Sequence, residues 1–218
     1  MVRPLCDLCR SASGARDKQL LFGARFHVLE ERDGWAFGYD PRDGYVGYVE
    51  GAALGEVSQP THRVVAQLAP LYSDADFKAR DIGLLPFGSR LRVTETENGM
   101  ARIEDGSWIM EQHIVPVTAH PTDWVHVAEG FFATPYLWGG NSALGIDCSG
   151  LVQSALWAAE IPCPRDADMQ EGAFEIAEGQ PQRGDLVFWK GHVAIMVSGE
   201  ALLHANLHHG TVARESLD

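Results

Sequence analysis

Two stretches within residues 1–115 read as copies of each other. Leu21-Phe22-Gly23-Ala24-Arg25-Phe26-His27-Val28 aligns with Pro86-Phe87-Gly88-Ser89-Arg90-Leu91-Arg92-Val93, 65 residues further on. The same offset carries Asp33-Gly34-Trp35-Ala36 onto Asn98-Gly99-Met100-Ala101. Gly47-Tyr48-Val49 then matches Ser107-Trp108-Ile109, after a loop five residues shorter in the second copy. Each copy is a run of short alternating strands broken by Asp-Gly or Asn-Gly, the pairs that favour a tight hairpin turn. About five short strands in about 55–60 residues close most simply into a small barrel. The chain is therefore expected to open with two all-β units, 1–57 and 61–117. Gly55-Glu56-Val57-Ser58-Gln59-Pro60-Thr61 lies between them.

The remainder, 122–218, has a different texture. Thr122 or Asp123 can cap a helix running to about Phe132. A Gly-rich aromatic loop, Tyr136-Leu137-Trp138-Gly139-Gly140, then leads to Asp147. Beyond it Leu151, Val152, Ala155, Leu156 and Ala159 are spaced by threes and fours, the mark of an amphipathic helix over about Ser149–Glu160. Asp147 is placed to cap that helix and Cys148 falls on its first turn. A thiol there faces unpaired backbone N–H groups at the positive end of the helix dipole, and both favour the thiolate. A proline-flanked loop around Cys163 and a further helix from Asp168 to Ala177 follow. Leu186–Trp189 and His192–Val197 read as strands, and Leu202-Leu203-His204-Ala205 as another. A cysteine on a helix and two histidines on strands supply nucleophile, base and orienter for acyl transfer.

These blocks, in this order, resemble the NlpC family of bacterial cell-wall cysteine peptidases. The matching residues are Tyr136, Trp138-Gly139-Gly140, Asp147-Cys148-Ser149-Gly150-Leu151-Val152, Gly184-Asp185-Leu186-Val187-Phe188-Trp189, Gly191-His192-Val193-Ala194 and His204. The resemblance implies an α+β class: a papain-like catalytic domain preceded by two small SH3-like barrels. It implies a catalytic set of Cys148, His192 and His204. His208 and His209 are the other histidines near enough to stand in for His204. Tyr136 would support an oxyanion hole that includes the Cys148 backbone N–H.

Within the family, the pattern is similar to enzymes with tandem SH3-like domains that cut the bond between γ-linked D-Glu and a diamino acid. Their substrates are cell-wall stem peptides beginning with free L-Ala. By that resemblance Trp138, Asp147, Ser149, Arg165 and Asp166 are substrate-binding candidates, with Asp166 paired to the free amine. Arg165 could equally sit in a surface or interdomain ion pair. Tyr45 or Tyr48 of the first barrel would add a tyrosine. Where a glutamate is expected after Phe22-Gly23, this chain has Ala24, a departure that bears on amine selectivity.

Composition limits the alternatives. A formal charge of −13 argues against nucleic acid or an anionic membrane surface as a partner. The first ten residues hold no apolar core of signal-peptide length, and no run of about 18 apolar residues appears later. A cytoplasmic monomer acting on peptidoglycan stem peptides is expected, with no cofactor and no metal. Cys6 and Cys9 form a CxxC without a second pair to complete a zinc site, so they are expected to be incidental or a surface disulfide. Two rival readings remain: a non-catalytic module that binds cell-wall peptide, and an amidase or acyltransferase of the papain-like superfamily.

Overall fold

The computed structural model describes residues 1–217 and divides into two compact units, Met1–Ala119 and His120–Asp218. In the first unit, β1 (Leu5–Cys9), β2 (Arg16–Leu21), β3 (His27–Arg32), β4 (Trp35–Tyr39) and β5 (Val46–Glu50) form an antiparallel sheet. Its order is β2-β1-β5-β4-β3. The second copy contributes β6 (His62–Val64), β7 (Leu68–Tyr72), β8 (Asp81–Pro86), β9 (Arg90–Leu91) and β10 (Val93–Glu97). It continues with β11 (Met100–Ile103), β12 (Trp108–Met110) and β13 (Ile114–Pro116). Its larger sheet, β10-β11-β12-β7-β8, is the first copy's order read from the other edge.

The likeness extends to register. Arg32 pairs with Trp35 across the Asp33-Gly34 turn, and Glu97 with Met100 across Asn98-Gly99. All four turn residues have positive φ, between 52° and 81°, the backbone that lets a two-residue loop match the strand twist. Both hairpins carry a bulge at the same place, between Val28 and Glu30 and between Val93 and Glu95. Equivalent positions fill the two cores: Ala36 and Val49 in one, Ala101 and Ile109 in the other. The copies also share structure, because Phe22 inserts into the core of the second copy and its carbonyl accepts from Arg90 N–H at 2.9 Å.

Cys6 and Cys9 lie on β1, both buried and both free thiols, so neither is a surface disulfide. Burial pushes the Cys6 thiol up to about 11, away from reactivity. Lys18 is fully buried, and its ammonium meets Asp40 and Asp43 at 2.6 Å each.

The second unit holds α1 (Trp124–Glu129), α2 (Cys148–Ala158) and α3 (Ala167–Ala173). A short hairpin, β14 (Asn141–Ser142) and β15 (Gly145–Ile146), precedes α2. An antiparallel sheet of β16 (Leu186–Trp189), β17 (His192–Met196), β18 (Ala201–Asn206) and β19 (Thr211–Ser216) follows in sequence order. Asp123 caps α1 by accepting from the N–H groups of Val125 and His126. That helix ends at Glu129 rather than Phe132, and the chain reverses through Ala133 at φ 64°. Helix α3 likewise stops at Ala173, just after Gly172, where Phe174 turns extended. Helix α2 packs across β17 and β18 and contacts α1 as well. Covered in this way, it is buried well beyond one stripe, with Cys148 to Gln153 all buried. Among the described residues no helix is long and apolar enough to cross a membrane.

Candidate active site

Asp147 breaks the extended chain and starts α2. Its backbone is extended and its carboxylate accepts from Gly150 N–H at 2.7 Å, which caps the helix. The next residue, Cys148, is therefore the first residue of the helix, with its N–H free of any intrahelical partner. Gly150 is required for the loop to approach, since a Cβ there would stand 2.4 Å from the Gly140 carbonyl oxygen. The thiol is buried at 7% exposure, and the backbone N–H groups of Ser149 and Val193 point at it. Val193 follows His192 on β17, so the helix start and the strand start meet at the sulfur.

His192 directs Nε2 at His204 Nδ1, 2.8 Å away, with the two rings edge to face. Its outer side stacks at 5.6 Å on Trp189 of β16. His204 is buried on β18, and its other nitrogen, Nε2, lies 2.6 Å from Asn206 Nδ2 and 3.4 Å from Glu215 Oε2. His209 does not face His192; it bonds Glu215 at 2.6 Å and stacks on His208.

Electrostatics sets the resting state. Burial pushes the Cys148 thiol up, and the Asp147 carboxylate adds to this; the N–H groups of Val193 and Ser149 and the Arg165 guanidinium oppose them. Burial pulls the His192 imidazole down, with His204 acting in the same direction and Glu215 against it. Both directions favour the neutral thiol and the neutral imidazole. The backbone donors act on Cys148 as its position suggests, but desolvation outweighs them. Tyr136 is half-buried, and its phenol is pushed up to about 12, first by burial, then by Cys148 once that thiol is ionised and by the Asp147 carboxylate. It stays a hydrogen-bond donor throughout the neutral range.

Asp147 does more than cap. Arg165 grips it with two bonds, 2.9 Å from Nη1 and 2.6 Å from Nη2, and Gly139 N–H adds a third partner at 2.8 Å. Arg165 Nη1 also reaches Ser149 Oγ at 2.7 Å. Arg165 is 1% exposed, so its ion pair is internal to this unit and not at a surface. Gln170 of α3, fully buried, donates to the carbonyls of Ser149 and Pro164 at 3.0 and 2.9 Å and ties the 164–166 loop to α2.

The structure thus gathers Cys148, His192, His204, Tyr136, Asp147, Ser149 and Arg165 in one place. Asp166 lies at the N-cap of α3, partly exposed, directly after Arg165. Trp138 is 64% exposed in the Gly-rich loop. Tyr45, Tyr48 and Ala24 belong to the first unit. Tyr45 and Ala24 pack on the core of the first copy, and Tyr48 on Phe37 at 4.9 Å. Gln170, Asn206 and Glu215 escape a reading of the sequence; no local spacing marks a buried glutamine on a short helix or an acid on a last strand. Among the described residues no group of three or more His, Cys, Asp or Glu side chains is placed to hold a metal.

Residues 133–218 match the profile of the NlpC/P60 family, and residues 8–54 that of the bacterial dipeptidyl-peptidase Sh3 domain. A dipeptidyl-peptidase 6 from Lysinibacillus sphaericus is 40% identical over 49% of this chain, which spans 40% of that protein. A gamma-D-glutamyl-L-lysine dipeptidyl-peptidase from Bacillus subtilis (strain 168) is 30% identical over 86% of this chain and 71% of its own length. The crystal structure of an NlpC/P60 family protein from Bacillus cereus ATCC 10987 shares the fold. Its TM-score is 0.80 over 93% of this chain and 77% of that one, at 22% identity.

Proposed function

Because this chain belongs to the NlpC/P60 family, we propose that it is a cysteine endopeptidase of peptidoglycan stem peptides. It hydrolyses the bond between γ-linked D-Glu and the following diamino acid, acts on peptides with a free N-terminal L-Ala, and serves the recycling of murein peptides. The observation that supports this reading is that the Cys148 sulfur, at the first position of α2, is met by the N–H of Val193, the residue after His192, while His192 lies 2.8 Å from His204. The gamma-D-glutamyl-L-lysine dipeptidyl-peptidase similar to this chain supports the choice of bond.

In this mechanism His192 takes the thiol proton as the sulfur attacks the γ-carbonyl carbon of D-Glu. The Cys148 backbone N–H and the Tyr136 hydroxyl hold the developing oxyanion. His192 returns the proton to the departing amine, leaving a thioester on Cys148. It then takes a proton from water, which attacks the thioester carbon and frees L-Ala-D-Glu and the thiol. The Asp147–Arg165 pair is preorganisation: it fixes the helix start against the Gly-rich loop. Asp166, beside it, is the acid we assign to the substrate amine, because an acylated N-terminus would leave that carboxylate without its ammonium partner.

The bond assignment is tested with two isomeric tripeptides, L-Ala-D-Glu-L-Lys joined through the γ- or the α-carboxyl of D-Glu. Mass spectrometry should show L-Ala-D-Glu released from the γ-isomer alone. Cleavage of the α-isomer at a comparable rate would refute the assignment.

A further inference from the structure

His204 Nε2 faces two partners that demand opposite tautomers. The Asn206 amide is oriented by the His209 backbone N–H, which donates to Asn206 Oδ1 at 2.8 Å. Its NH2 group therefore meets His204 Nε2 at 2.6 Å and favours a lone pair there. Glu215 Oε2, 3.4 Å from the same nitrogen, can only accept and favours a proton there. The difference reaches Cys148. If Nε2 of His204 carries no proton, Nδ1 does and donates to His192 Nε2. His192 then holds its own proton on Nδ1, leaving no lone pair for the thiol. If His204 is protonated on Nε2, its Nδ1 accepts from His192 Nε2, and His192 Nδ1 is free to act as base.

We propose that Glu215 is a positioning residue of the active site. It accepts the His204 Nε2 proton and so holds the tautomer in which His192 is a base and its imidazolium has an acceptor. No bond outside the proposed mechanism is made or broken: the proton leaves the thiol for His192 Nδ1, and Glu215 stays ionised throughout. His209, bonded to the other Glu215 oxygen at 2.6 Å, competes for the same carboxylate and tempers its pull. The directions agree with this arrangement, since Glu215 raises the His204 imidazole against burial while His209 lowers it. The charged groups acting on the pair are Glu215, which acts on both rings, and His209, which acts on His204; Asp147 and Arg165 act on Cys148.

The inference rests on Cys148 and His192 being nucleophile and base, so its test reads that pair without any peptide. The rate of Cys148 alkylation by iodoacetamide is measured against pH for the full chain and for Glu215→Gln, His209→Ala, His204→Asn and the Glu215→Gln/His204→Asn pair. Removing the charge in E215Q should move the appearance of the reactive thiolate to higher pH and slow alkylation at pH 7 about three- to tenfold. H209A should move it the opposite way. E215Q should add no shift in the H204N background, because the relay is already cut. An unchanged profile in E215Q, or an equal shift with and without His204, overturns the proposal. In the first case a turned-over Asn206 amide would be the acceptor. Should E215Q not fold, an unchanged profile in H209A overturns it equally, since His209 is 39% exposed and its loss is not expected to disturb the sheet.

Discussion

Arg165 and Asp147 form a two-bond ion pair, both side chains removed from solvent, at the N-cap of the helix that Cys148 opens. The carboxylate is shared by the guanidinium, the helix cap and Gly139, so a single acid fixes the loop, the helix start and the 164–166 segment together. Cys148 follows directly on that acid, so its position at the helix start depends on it.

Removing one partner should therefore be far worse than removing both. Arg165→Met leaves a buried carboxylate unpaired and should cost about 3–5 kcal/mol. Adding Asp147→Asn, which removes the charge and keeps a cap, should recover part of that loss. Urea unfolding of the two variants checks this, and equal stability of the single and double variants would contradict it.

The first unit offers a test of the shared structure between the repeats. Gly23 has φ +75°, and a Cβ there would lie 1.9 Å from the Arg90 carbonyl oxygen of the second copy. Gly34, at φ +81°, has nothing within 4 Å. Gly34→Ala should cost only the left-handed strain of about 1–2 kcal/mol, and Gly23→Ala clearly more, because backbone must move as well. Denaturant midpoints of the two variants decide it.

What the sequence disclosed and what it hid divide along a physical line. The repeat was legible because Asp33-Gly34 and Asn98-Gly99 are local turn chemistry, and turn chemistry fixes hairpin register. Cys148, His192 and His204 were legible because short blocks of residues surround each of them. The thiol's direction of shift was not, since it depends on how deeply α2 is covered by β17, β18 and α1, and no periodicity reports that depth. Gln170 and Glu215 were hidden for a related reason: their partners are residues far along the chain, reached only once the sheet and α3 are in place.

The charge state of the pair predicts a broad pH profile. His192 is pulled below its ordinary 6.5, so it remains a neutral base to lower pH than a free imidazole. Cys148 is pushed above 9.0, so the neutral pair persists to higher pH than a free thiol would allow. The plateau of kcat/KM against pH should extend beyond both ordinary values. At pH 5 Cys148 should resist iodoacetamide, and a fast reaction there would show a preformed ion pair instead.

Gln170→Ala should loosen the 164–166 loop without touching the His192–His204 pair. Loss of two buried bonds to carbonyls should cost about 1–3 kcal/mol. If Asp166 holds the substrate amine, KM should rise while the alkylation rate of Cys148 changes little. An unchanged KM would remove that loop from substrate binding.

The most direct measurement compares L-Ala-γ-D-Glu-diaminopimelate with its N-acetylated form, products followed by mass spectrometry. The account predicts L-Ala-D-Glu from the free-amine peptide, little or none from the capped one, and no product from either with Cys148→Ala. Equal cleavage of both would leave the peptidase standing and remove the amine gate, which Ala24 in place of a glutamate makes a specific point of attack. No cleavage of either by folded protein with a reactive Cys148 would contradict the central claim.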